Sequence, residues 1–256
     1  MAARPILALA SLVVLAGGVL LQFLTILSGA VHGSLEDQFY FLEASGIDNI
    51  PGARNPSRWT FFAICGVNAD NGRNANCGSV VPALPFDPPR NFGTDTNIPQ
   101  QFIGTHEYYY LSRFMFAFYL IALFFSVIAL FTGLLAVCSR LGGYLSGLNT
   151  AIALFFQTLA AALMTAWTVK GRNAFLSNNQ SAKLGVKLYG FTWAAMACFL
   201  ISTVLFCCGG ALSSDSTSSP FRRKRSVRST RSNRSTRKRG SFFDTESGGR
   251  IKDDYS

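Results

Sequence analysis

Four long apolar segments dominate this chain, at residues 6–27, 114–138, 147–169 and 186–208, and none has a charged residue in its interior. Each exceeds the roughly 20 residues that a helix needs to cross a hydrocarbon core of about 30 Å. Because the backbone must satisfy its own hydrogen bonds in lipid, segments of this length form helices. The sequence therefore predicts an all-α membrane protein built on a bundle of four transmembrane helices.

The charge distribution predicts which parts of the chain face the cytoplasm. The formal net charge is +10, and ten basic residues and no acidic residue lie between positions 222 and 239. Basic residues beside membrane spans concentrate on the cytoplasmic side, so the tail (209–256) is predicted to be cytoplasmic and disordered. Four spans then place residues 1–5 and a turn at 139–146 on the same side, with both termini inside.

The remaining loops, residues 28–113 and 170–185, are predicted to be extracellular. Basic residues flanking the second loop, such as Lys170, oppose this topology, but the tail carries more charge. The first apolar segment is also open to interpretation as a signal peptide. Its 22 residues exceed the apolar region of about 7–15 residues that signal peptides have, so we interpret it as a retained helix.

The first extracellular loop is long enough to form a small β-hairpin region of its own. Residues 58–65 are rich in aromatic and β-favouring types, residues 68–76 are polar with an Asn-Gly pair, and residues 77–81 resemble a return strand. Cys65 and Cys77 are the only cysteines in this loop. A disulfide between them would close the hairpin and contribute about 3 kcal/mol. The alternative is a metal or reactive thiol site, which the lack of a nearby histidine disfavours.

Several residues are candidates for modification. Cys138, Cys207 and Cys208 lie at the cytoplasmic ends of spans and are candidate palmitoylation sites, the alternative being small buried hydrophobes. Asn179 begins an Asn-Gln-Ser sequence in the second extracellular loop and is a candidate glycosylation site.

The basic tail contains a three-residue Arg-Ser repeat from 225 to 236, and three interpretations are open. It binds anionic lipid of the inner leaflet, it is an inert solvated segment, or it binds RNA as similar Arg-Ser tails do. Attachment to a membrane favours lipid and argues against nucleic acid. Phosphorylation of Ser226 or Ser241 would weaken the lipid attraction by adding negative charge. The predicted lipid-binding residues are Arg222, Arg223, Lys224, Arg225, Arg228, Arg231, Arg234, Arg237, Lys238 and Arg239.

The residues within the spans argue against catalysis and coupled transport. Apart from Lys187 at the very start of the fourth span, they contain no charged side chain and no histidine, which removes the usual proton relays and ion sites. The sequence contains no nucleotide-binding loop or metal-ligand cluster, so we predict neither an enzyme nor a bound cofactor. Gln22, Asn149 and Gln157 are uncharged polar exceptions and are predicted to form hydrogen bonds between helices.

The motifs of the chain resemble those of the fungal SUR-seven/PalI family of claudin-like, four-pass membrane proteins. Arg58-Trp59-Thr60, followed by Cys65-Gly66 and Cys77, looks like the first external loop of that family. Further matching segments follow in order at residues 110–114, 131–135, 144–147, 153–158, 170–172 and 193–195.

The resemblance implies a plasma-membrane protein of the eisosome, a furrow-like compartment at the fungal cell cortex. The role it implies is structural organisation of that membrane domain, supporting endocytosis, cell-wall integrity or sporulation. The alternative is a PalI-type sensor of ambient pH or cell-wall stress. The expected partners are eisosome scaffold proteins, further copies of the chain, and membrane lipids, with sphingolipid and sterol as candidates.

Overall fold

The structure is a computed structural model that describes residues 3–30 and 35–211. Four long helices form a bundle: α1 (Ala3–Ile26), α3 (Glu107–Cys138), α4 (Arg140–Ser177) and α5 (Val186–Ala211). A short helix, α2 (Pro88–Phe92), and five strands lie in the connections. The strands are β1 (Leu42–Ser45), β2 (Ser57–Trp59), β3 (Ile64–Val67), β4 (Asn74–Ala75) and β5 (Ser181–Leu184).

The four-helix bundle predicted from the apolar segments is confirmed. Each long helix is apolar and long enough to cross a membrane. Small residues of α4, Ala153, Ala160 and Ala161, are fully buried and allow close helix contacts. Large apolar side chains such as Phe124 and Phe131 remain exposed on the outside, as expected of helices that face lipid.

The connection between α3 and α4 differs from the predicted turn at 139–146. Ser139 alone separates the two helices, and its hydroxyl accepts a hydrogen bond from Gly142 N at 3.0 Å as the N-cap of α4. A Cβ on Gly142 would lie 2.6 Å from Ala136 N, so this residue lets the start of α4 lie against the end of α3.

The strands form a sheet in the order β4-β3-β2-β1-β5, with every pairing antiparallel. We call residues 35–106 and 178–185 the cap, because together they cover one end of the bundle. The second loop contributes β5 to the same sheet as the first. The cap therefore contains a five-stranded sheet in place of the predicted hairpin alone.

The prediction of one strand over residues 58–65 and a return strand over 77–81 is wrong. The chain turns at Thr60–Ala63 between β2 and β3, and the return strand is Asn74–Ala75. The Thr60 hydroxyl makes this turn possible without glycine or proline, since it donates to Ala63 O at 2.7 Å and accepts from Ala63 N at 3.1 Å. The polar hairpin turn predicted after residue 67 is present between β3 and β4.

Strand register sorts the sheet into two faces. Ile64, Trp59, Leu42 and Leu184 are cross-strand neighbours and form an apolar row. Cys65, Arg58, Glu43 and Lys183 form the next row, on the opposite face. The apolar row packs on the bundle, and one continuous core runs from the cap into the helices.

The predictions for the tail concern residues outside the described ranges. They include Ser226, Ser241 and the basic residues from Arg222 to Arg239.

Candidate functional site

Three consecutive residues, Arg58, Trp59 and Thr60, make contacts in three different directions. They lie at the end of β2 and are at most 9% exposed. Their side chains alternate across the sheet, as successive strand residues do.

Arg58 connects the outward face of the sheet to the β3–β4 hairpin. Its Nε donates to Glu43 Oε2 at 2.7 Å, and its Nη1 donates to Gly72 O at 2.9 Å and Asn74 Oδ1 at 3.1 Å. Asn74 in turn donates to Phe39 O. Because Arg58 and Glu43 are both buried, each depends on the other for neutralisation.

Tyr40 forms one wall of a cleft of about 540 Å³ beside this ion pair. The Arg58 guanidinium lies over its ring, with Cζ 4.3 Å from the centroid. Burial raises the pKa of Tyr40, the Glu43 carboxylate raises it further and Arg58 opposes both, so the phenol is neutral at physiological pH. Arg73 and Lys187 complete the cationic lining of the cleft.

Trp59 faces the opposite way, into the aromatic core between cap and bundle. Its ring centroid lies 5.1 Å from that of Phe86 and 5.9 Å from that of Phe175 on α4. The indole N–H donates to Asn91 Oδ1 at 3.0 Å. Asn91 also donates to Pro85 O, which fixes the segment that precedes α2.

Thr60 closes its own turn and also contacts the end of α1. Gly29 has φ +78°, and a Cβ there would lie 1.9 Å from Thr60 Oγ1, so only glycine allows the chain leaving α1 to pass this close. Gly66, the other motif residue, lies where β3 meets β4, and a Cβ there would be 3.4 Å from Ala75 O.

Cys65 and Cys77 form a disulfide across the β3–β4 hairpin, as predicted. Cys65 is fully buried beside Arg58 in the polar row. No group of three or more metal-ligating side chains occurs in residues 3–30 and 35–211.

A polar cluster at the centre of the bundle joins all four long helices. Gln22 of α1 donates to Gln157 Oε1 of α4 at 2.9 Å and to Tyr119 O of α3 at 3.2 Å. Gln157 donates to Thr192 O of α5 at 3.2 Å. Ser126 donates to Gln22 Oε1, and the hydroxyls of Tyr119 and Thr192 lie 2.5 Å apart.

The predicted hydrogen bonds between helices are thus present for Gln22 and Gln157. The prediction is wrong for Asn149, which donates to Leu145 O of its own helix. Sequence reasoning missed Tyr119, Ser126 and Thr192. Tyr, Ser and Thr are common in membrane helices, so none of the three stands out in the sequence. Only their shared depth in the bundle indicates that they form a cluster.

Comparison with known proteins identifies the family. The model of the SUR7/PalI family matches residues 7–205. The chain belongs to this family. The SUR7/PalI match covers the whole cap, all of α3 and α4, and most of α1 and α5.

Curated relatives agree with this assignment. The chain is 42% identical to Protein SUR7 of Candida albicans over 198 residues, which cover 76% of this chain and 71% of that protein. It is 34% identical to Protein SUR7 of Saccharomyces cerevisiae, with 78% and 66% coverage. It is 36% identical to the uncharacterized plasma membrane protein YNL194C of the same yeast, with 76% and 64% coverage. The chain is a membrane protein of the SUR7 type.

The candidate modification sites of this SUR7/PalI chain lie at both ends of the bundle. Cys207 and Cys208 are exposed near the end of α5, and their thiols are free. The side chain of Cys138 lies outside the described residues. Asn179 is exposed with φ +57° in the turn between α4 and β5. Palmitoylation and glycosylation at these positions remain predictions.

Proposed function

We propose that this chain is a structural organiser of a fungal plasma-membrane domain of the eisosome type. The observation that carries the proposal is that one hydrophobic core runs from the cap into the helix bundle. The aromatic core of the cap, with Trp59 and Phe86, is continuous with Tyr119 and Trp167 of the bundle. The SUR7/PalI family is not a known enzyme family, so the role proposed is assembly of a membrane region rather than catalysis.

The proposed topology places the cap outside the cell and both termini inside. The Cys65–Cys77 disulfide supports it, because disulfides form and persist in oxidising compartments. The basic tail supports it as well, because it matches the anionic inner leaflet.

Trypsin added to intact spheroplasts tests the topology, since Arg73 lies exposed in the β3–β4 turn. We expect cleavage at Arg73 while a C-terminal epitope stays intact. Loss of the epitope with an uncut cap would show the opposite orientation. The variant Arg73→Gln should not give this cleavage product, which identifies Arg73 as the site of the cut.

The proposed partners are membrane lipids, scaffold proteins on the cytoplasmic side and further copies of the chain. The tail would bind anionic inner-leaflet lipid, and exposed apolar side chains such as Phe131 and Leu134 would contact acyl chains, sphingolipid or sterol. The wide apolar surface of the helices supports lipid contact.

Imaging of a fluorescent fusion tests the organising role. We expect static plasma-membrane patches at any external pH, and loss of those patches when Cys65→Ser weakens the cap. A diffuse wild-type signal would contradict the proposal. Selective loss of growth at alkaline pH on deletion, with patches unchanged, would instead favour a sensor.

A further inference from the structure

A second cleft, of about 500 Å³, lies at the seam between the cap and α3. We call it the arginine cleft, because Arg54, Arg90 and Arg113 line it together with Tyr109. These arginines come from the loop before β2, from α2 and from the second turn of α3. Three separate elements thus bring three cations to one place.

The guanidinium groups are arranged around one aromatic ring. Cζ of Arg90 lies 4.8 Å and Cζ of Arg113 5.2 Å from the centroid of Tyr109. Arg113 donates to the Tyr109 hydroxyl at 2.5 Å. Arg90 pairs loosely with Asp87, with Nε 3.6 Å from Oδ2.

Most of the hydrogen-bond donors in the arginine cleft have no acceptor within the described part of the chain. Arg54 donates to no residue in those ranges, and the only acceptors for the other two guanidiniums are Asp87 and the Tyr109 hydroxyl. Each guanidinium carries five N–H donors. The cleft therefore has an excess of positive charge and many hydrogen-bond donors without a partner in the described residues, whereas Glu43 neutralises Arg58 beside the first cleft and leaves Arg73 and Lys187 as its cations.

The position of the arginine cleft indicates where its ligand comes from. Arg113 is the last charged residue before the apolar segment of α3, and the next residue, Phe114, is 56% exposed. Val80 and Val81, on the adjoining loop of the cap, are also exposed. Apolar surface beside a cationic cleft at the end of a membrane span matches the headgroup layer of a bilayer.

We propose that the arginine cleft binds the phosphate of an anionic membrane lipid in the leaflet that adjoins the cap. Guanidinium groups bind phosphate oxygens through paired, charge-assisted hydrogen bonds, and Arg suits this geometry better than Lys. The exposed valines and Phe114 would contact the acyl chains of the same lipid. This inference is independent of the organising role, and with the cap outside the cell, as proposed above, the lipid would lie in the outer leaflet.

Native mass spectrometry of the full chain in an uncharged detergent tests the site, with phosphatidylinositol, phosphatidylcholine and inorganic phosphate as probes. We expect the wild type to retain phosphatidylinositol over phosphatidylcholine. Combined Arg54→Gln, Arg90→Gln and Arg113→Gln should weaken that binding at least about tenfold, because even one lost charge-assisted contact is worth about one power of ten or more. The matching triple Lys variant should bind with intermediate affinity.

The control is Arg73→Gln, which removes one charge from the cap at the other cleft and should leave binding unchanged. Equal binding by the triple Gln variant, or equal retention of both lipids, would overturn the proposal. Binding of inorganic phosphate without retention of phosphatidylinositol would contradict the proposal that the bound phosphate belongs to a lipid. If the triple variant fails to fold, the single variant Arg54→Gln tests the site instead, because the Arg54 guanidinium makes no hydrogen bond to the described residues. Unchanged affinity of this variant for phosphatidylinositol would count against the site.

Discussion

Gln22 Nε2 donates to Gln157 Oε1 across 2.9 Å, and both side chains are fully buried. This contact joins α1 to α4 in the interior of the bundle, and further hydrogen bonds extend it to α3 and α5. An apolar membrane helix packs against many neighbours with similar energy. A polar pair that is satisfied in only one arrangement fixes the relative depth of the helices.

We expect Gln22→Leu and Gln157→Leu each to lower thermal stability in detergent, because each leaves a buried partner unsatisfied. Hydrogen bonds between membrane helices are worth about 0.6 kcal/mol on average and up to about 1.7 kcal/mol. The double variant should cost less than the sum, since it removes both partners. Thr158→Val, an exposed position on α4, is the control and should change little. Strict additivity would show that the two glutamines are not coupled.

The sequence predicted the bundle well because span length and apolar content are local properties. It predicted the Cys65–Cys77 disulfide for a similar reason, since only two cysteines lie in the first loop. It missed the pairing of β1 with β5, which joins Leu42 to Leu184 across most of the chain. The composition of residues 181–184 does not predict a strand. These residues are extended because they pair with β1, not because of a local sequence pattern.

The turn at Thr60 shows a second reason why the sequence did not predict the strands of the cap correctly. A run of aromatic and β-branched residues favours a strand, and it forms two strands here because the Thr60 side chain satisfies the turn. The importance of Arg58 was visible from sequence only through the family motif. Its partner Glu43, fifteen residues earlier, could not have been identified without the register of β1 and β2.

We expect Arg58→Gln to destabilise the cap strongly, because it leaves Glu43 buried without its cation. Removing one partner of a buried pair costs about 3–5 kcal/mol. Combining Arg58→Met with Glu43→Leu should restore much of the loss, since no buried charge then remains. Thermal unfolding followed by tryptophan fluorescence measures the effect, because Trp59, the residue after Arg58, is buried in the core of the cap. Arg73→Gln, on an exposed side chain, should have almost no effect, and an equal loss there would contradict this account.

Limited trypsin digestion tests the disulfide directly. Arg73 is the only basic residue between Cys65 and Cys77. A cut there should leave two fragments joined on non-reducing gels and separate them after reduction. Separation without reductant would show that the hairpin is not bridged. The double variant Cys65→Ser/Cys77→Ser should be less stable by about 3 kcal/mol, whereas Cys198→Ser, within α5, should behave like the wild type.

Two glycines at the start of α5 should respond in opposite directions to alanine. Gly185 carries the chain from β5 into α5, and a Cβ there would lie 1.6 Å from the Tyr40 backbone oxygen. Since backbone cannot move aside as a side chain can, Gly185→Ala must push β5 away from the rest of the sheet, and we expect a large fall in melting temperature. Gly190 has no atom within 4 Å of its added Cβ. Gly190→Ala should therefore be neutral or raise stability by up to about 1 kcal/mol through helix propensity. Equal melting temperatures for the two variants would mean that β5 does not lie against Tyr40. The position of β5 at the edge of the five-stranded sheet would then be contradicted.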